Sequence, residues 1–169
     1  MTGTITDVDH RHLDACVELA AAAVASGEDP YAAVLVGPDG LCVAGEHNRT
    51  ADGDGTQHAE LLIARWAVVN LTPQERASAR MYSTCEPCPM CAGAHGWVGL
   101  GRLVYLVSAE RVGAWRAALG APQPPVKAVP ARAVLPEHPI DGPVDPEDPR
   151  VGALQELFHR ASSPPSIGS

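Results

Sequence analysis

Residues 83–91 read Ser-Thr-Cys-Glu-Pro-Cys-Pro-Met-Cys, which sets Cys85, Cys88 and Cys91 three apart with a proline on either side of the middle thiol. The segment before it, ARMYST (79–84), has the pattern of a strand, and MCAGAHGWVG (90–99) can form a short helix weakened by its glycines. The chain must therefore turn from strand to helix at Cys88. A Cys-x-x-Cys pair at that junction has the spacing of zinc ligands. Unpaired helix N–H groups and the helix dipole favour thiolates there, and thiolate is the form that binds metal.

Two thiolates leave a metal short of donors. His58 is the best further candidate, because it also stands at a helix start, just after the small polar loop TADGDGTQ (50–57). Glu60 follows two residues later. His-x-Glu followed downstream by Pro-Cys-x-x-Cys is the pattern of zinc deaminases, where His and two Cys hold the metal and Glu moves protons. Here it reads His58-Ala59-Glu60, then Pro87-Cys88-Pro89-Met90-Cys91. Three other readings compete: a closed structural Cys3His site that includes Cys85, part of an iron–sulfur run, and buried thiols with no metal. Glu60 separates them, since a structural site has no need of a carboxylate at that place. Cys85 reads as the end of the strand.

Around these residues the chain alternates helix and strand. Helix is expected over 12–26, where Leu13, Cys16, Val17, Ala20 and Val24 recur at helical spacing. A hairpin follows, its two apolar runs joined by Gly-Pro-Asp-Gly at 37–40. Helices are expected at 58–71, 90–99, 109–119 and 151–161, and a buried strand at 102–108. Nine of the sixteen prolines lie in the 28 residues 122–149, so that stretch is expected to be irregular, with one edge strand near 127–135. Residues 162–169 read as a loose tail. Cys16 and Cys42 sit in apolar surroundings and are expected in the core. The order α-β-β-α-β-α-β-α implies a mixed sheet with helices on both faces.

Composition narrows the function. Twelve basic against twenty acidic residues give a formal charge of −8, with no Lys/Arg run, which disfavours nucleic acid as partner. No apolar stretch is long enough to span a bilayer, and the first residues lack the order of a signal peptide. Five cysteines, an odd number with three bunched, do not form a disulfide framework, so a reducing, cytoplasmic setting is expected.

YSTCEPCPMCAGA (82–94), YAAVLV, GEHN and HAELLIAR together resemble the cytidine deaminase-like superfamily, in its guanine deaminase, nucleoside deaminase and tRNA adenosine deaminase branch. The similarity runs over about residues 12–108 and weakens after Ser108. It implies a three-layer α-β-α fold with a central mixed five-stranded sheet, in one zinc-dependent deaminase domain over residues 1–161. It implies Zn2+ on His58, Cys88 and Cys91, with Glu60 as the proton carrier. It further implies substrate contacts from Asn48 in GEHN, from Tyr31 and Ala33 in YAAVLV, and from Trp97. Asn48 also suits a turn at the hairpin end, and Trp97 also suits the core. The implied substrate is a small aminated heterocycle, guanine or guanosine in type, with aminotriazines as relatives, and the implied assembly is a homodimer. A tRNA adenosine deaminase, a cytosine-type base deaminase and a non-catalytic zinc module are the alternatives. Two departures stand out. Ala109-Glu110 replaces an Asp-Ala pair, and Glu110 then reads as a helix cap. The segment after Ser108 aligns with no version of the family, so His138 and His159 are expected at the surface and Phe158 in packing.

Overall fold

Two runs of consecutive apolar residues, Ala32–Val36 and Leu103–Val107, are satisfied only by burial on both faces, and they form strands β1 and β4 inside a five-stranded sheet. The structure is a computed structural model and describes residues 5–162. β2 (Cys42–His47), β3 (Arg80–Cys85) and β5 (Ile140–Asp141) complete the order β2-β1-β3-β4-β5. β1 is antiparallel to β2 and β3, whereas β3, β4 and β5 are parallel, so the sheet is mixed. Gly40, at φ +82°, supplies the left-handed residue that closes the β1–β2 turn.

Helices cover both faces. α1 (Asp7–Ala25) packs on β1 and β3 beside α7 (Pro149–Ser162), and α5 (Ala109–Ala118) rests on α7. Across the sheet, α2 (Ala59–Asn70) and α4 (Pro89–Trp97) pack on each other, with α3 (Pro73–Ser78) next to α2 and α6 (Ala131–Val134) next to α4. Alternation along the strands divides the core between these layers. Val34, Tyr82 and Val104 pack with Leu13, Leu154 and Phe158, while Ala33, Leu35, Met81 and Leu103 pack with Ile63 and Ala67. This is the three-layer α/β arrangement expected from the sequence.

On the α1 side the core holds charge. Thr6 and Asp9 form a capping box that starts α1, and Asp9 Oδ1 also accepts from the Tyr82 hydroxyl at 2.7 Å and from Arg102 at 2.8 Å. Arg102 Nε donates to Asp141 Oδ2 at 2.7 Å. Burial pushes the Asp9 carboxyl up, but its donors from Thr6, Tyr82 and Arg102 outweigh that and hold it at about 2.

Several expectations are corrected. The edge strand is Ile140–Asp141, and the 127–135 stretch instead contains α6. Pro130 stands at the N-cap position of that helix, the alanines after it favour a helical turn, and Pro139 and Pro143 leave room for only two strand residues. α1 begins at Asp7 because of its capping box, and a second box, Thr72 with Glu75, starts the short α3. Cys16 is buried as expected, but Cys42 is exposed, because β2 is an edge strand paired on one side only. Trp97 is 92% exposed and is no core residue. α5 is capped by the Ser108 hydroxyl, not by Glu110, which is exposed. Phe158 packs as expected and His159 is exposed, whereas His138 is half-buried edge-on to His95. Apart from Ser162, which closes α7, the expected tail at 162–169 lies outside the described residues.

Candidate metal centre

The start of α2 and the start of α4 meet below the end of β3. His58 is the N-cap of α2 and Cys88 the N-cap of α4, yet neither side chain makes a capping hydrogen bond. Both side chains turn toward each other instead. Cys91 is one turn into α4 and buried. Cys88 Sγ, Cys91 Sγ and His58 Nδ1 stand in a triangle with all three sides 3.6 Å. Tetrahedral zinc, with Zn–S about 2.3 Å and Zn–N about 2.1 Å, spaces sulfurs about 3.8 Å apart and sulfur from nitrogen about 3.6 Å apart. The donor set and its spacing fit zinc. Among the described residues these three form the one cluster of His, Cys, Asp and Glu side chains able to hold a metal ion. Cys85 lies outside it, buried against the α1-side core.

The three donors shift one another's protonation. Its hydrogen bond with Cys91 pulls the Cys88 thiol down to about 4 against the cost of burial, with His58 adding to the effect. The same pairing, with burial, pushes the Cys91 thiol up. His58 is raised by its bond to Cys88, against burial.

Glu60 sits in the first turn of α2 and is buried. Burial raises its carboxyl, and the Ser83 hydroxyl, 2.7 Å from Oε1, lowers it in part. Asn48, also buried, accepts from the Ala59 amide at 3.0 Å and so pins the first turn of the helix that carries Glu60. That N–H identifies the oxygen of the Asn48 side chain and leaves its NH2 group as the donor still on offer. Ala33 pairs with Ser83 across β1 and β3, on the α2 face. The structure thus brings His58, Glu60, Cys88, Cys91, Asn48 and Ala33 to one place. It does not bring the rings of Tyr31 and Trp97 there. Tyr31 packs edge-on to Phe158 at 5.4 Å, and Trp97 faces solvent beside Leu135 and His138.

Two residues of this neighbourhood carry no sequence signal. Ser83 is one more small residue in a strand. Glu86, buried, accepts from the Ala109 amide at 3.2 Å and the Ala131 amide at 2.9 Å, and so ties the starts of α5 and α6 to the chain just before Cys88.

The geometry can be set beside known proteins. The cytidine and deoxycytidylate deaminase zinc-binding region matches residues 6–107. A probable cytosine deaminase from Schizosaccharomyces pombe is 28% identical over 64% of this chain and 65% of its own length. A tRNA-specific adenosine deaminase from Haemophilus influenzae is 35% identical over 64% of each. A solved guanine deaminase from Nitrosomonas europaea superposes with a TM-score of 0.68 at 22% identity, covering 92% of this chain and 86% of that one. The chain spans less than two thirds of the length of the curated relatives it matches. With the metal triad, the buried glutamate and the matched region coinciding, the chain belongs to the cytidine and deoxycytidylate deaminase zinc-binding family.

Proposed function

We propose that this chain is a zinc-dependent hydrolytic deaminase of a small aminated heterocycle, with a purine base or nucleoside of guanine type as the first candidate. The observation that carries this reading is Glu60, a carboxyl buried beside the metal triad with only part of its burial offset. In this reading His58, Cys88 and Cys91 hold the zinc. Bound zinc brings the pKa of a water to about 7 and so makes hydroxide available at neutral pH.

The chain's residues account for the rest. Glu60 accepts the water's proton, delivers it to a ring nitrogen, and later carries a proton to the departing amine. The ring carbon exchanges its C–N bond for a C–O bond; one of the water's two protons stays on the ring nitrogen, and the other completes the departing ammonia. Asn48 offers its NH2 group to an acceptor on the heterocycle edge, and Ala33 leaves room for a flat ring above β1. The two cysteine thiolates neutralise the metal, which suits an uncharged substrate.

The named relatives act on cytosine, tRNA adenosine and guanine, so they do not choose the substrate. The charge of −8 favours a small molecule over tRNA, whose phosphates an acidic surface repels. A homodimer in the cytoplasm completes the reading. Among the described residues no helix is long and apolar enough to cross a membrane.

The test is ammonia release by zinc-loaded protein from guanine, guanosine, adenine, adenosine, cytosine, cytidine, aminotriazines and a tRNA anticodon stem. Turnover of a purine base or nucleoside is the expected result. Turnover of the tRNA stem alone would replace this substrate class with the tRNA reading. Silence across the panel with zinc bound would favour the non-catalytic module.

A further inference from the structure

Glu60 can carry protons between a water and a ring only if its carboxyl stays at one place while its bonding changes. A glutamate has three side-chain torsions, and each freely rotating bond lowers the fraction of time it spends in a productive position. Its helix fixes only where the side chain begins. Something must fix where it ends.

Ser83 is the group that meets it there. Its Oγ lies 2.7 Å from Glu60 Oε1 and 2.8 Å from the carbonyl oxygen of Cys85, and the residue is fully buried. A hydroxyl has one proton to donate and two lone pairs that accept. With two acceptors beside it, the hydroxyl can donate to the carboxyl, or donate to the Cys85 carbonyl and accept from the carboxyl. Contact with Glu60 is kept either way. The Cys85 carbonyl stands just where β3 runs out toward Cys88, so one hydroxyl ties the glutamate to the segment that carries a metal ligand. Ala33 is the cross-strand neighbour of Ser83 and brings no competing polar group.

We infer that Ser83 is a positioning residue for the deamination: it holds the Glu60 carboxyl over the metal triad through both proton transfers. The inference rests on the deaminase reading above and adds to it a residue outside the metal triad, bonded to Glu60 and to the Cys85 carbonyl.

The test uses the full-length, zinc-loaded protein. Ser83→Ala should lower kcat about 10-fold to 100-fold, of the order lost with one hydrogen bond to a charged group, while KM stays within about twofold and zinc content is unchanged. Ser83→Thr, which restores the hydroxyl, should recover most of the loss. In a Glu60→Asp background, whose shorter carboxyl cannot reach Ser83, the same Ser83→Ala change should cost nothing further.

A readout independent of turnover is the Glu60 carboxyl band in the infrared, assigned by its loss in Glu60→Gln. That band should shift in Ser83→Ala and return in Ser83→Thr. Wild-type turnover with an unchanged kcat in Ser83→Ala would overturn the inference and leave the deaminase reading intact. So would a loss of zinc from Ser83→Ala, which would make the serine a scaffold for the metal. An inactive but zinc-bound wild type would instead overturn the deaminase reading and this inference with it.

Discussion

Strand β3 has a buried carboxylate on each side, and the two are equipped differently. On the α1 side Asp9 collects the Thr6 amide and hydroxyl, the Tyr82 hydroxyl and the Arg102 guanidinium, so its charge is held well below the usual carboxylate range. On the α2 side Glu60 meets the neutral Ser83 hydroxyl, with the metal triad beside it, and burial keeps its carboxyl raised. Neighbours on one strand, Tyr82 and Ser83, serve these two sites. A carboxylate saturated with donors is fixed in charge and can only stabilise. One supplied sparingly can gain and lose a proton, which is what acid–base chemistry requires.

The contrast can be broken from either side. The largest effect is expected from Cys88→Ala, which should abolish zinc binding and turnover together, while Cys85→Ala keeps its zinc. Metal analysis of the two proteins decides this, and zinc loss from Cys85→Ala would restore the closed Cys3His site. Glu60→Ala should keep its zinc and lose about 10²–10⁴-fold in kcat; an active variant would remove the glutamate from the chemistry.

On the opposite face Arg102→Met leaves Asp9 and Asp141 buried without their cation. It should cost about 3–5 kcal/mol in urea unfolding without moving KM or zinc content. The smallest effect is a pH dependence. The folded value for Asp9, about 2, lies below its ordinary 3.8, so its contribution is complete above that ordinary value and fades as pH falls toward the folded one. The contribution amounts to about 2 kcal/mol. Acid unfolding of Asp9→Asn should lack that limb; an unchanged profile would show that Asp9 is not the saturated partner described.

The metal triad and Glu60 were legible in the sequence because they are local. Each is fixed by spacing within one or two turns and by a helix start beside it. The hairpin and the two buried strands were legible for the same reason, in apolar runs and a Gly-Pro-Asp-Gly turn. The edge strand was not, because β5 is only two residues long and exists through pairing with β4, far away in the chain. Ser83 and Glu86 were not legible either. Their partners lie 23 and 45 residues away, and only the fold makes them neighbours. Cys42 and Trp97 show the reverse error, since an apolar residue type tells nothing about whether a layer covers it.

Glu86 gives the chain a place where it can be lengthened. Its carboxyl fixes the starts of two helices, and the connection between them, residues 119–130, is mostly exposed. Doubling the length of such a connection costs only about 0.6 kcal/mol in closure entropy. Inserting a fluorescent reporter or an affinity tag between Pro122 and Lys127 should therefore leave the zinc ligands undisturbed, because Ala131 still returns to the same carboxyl.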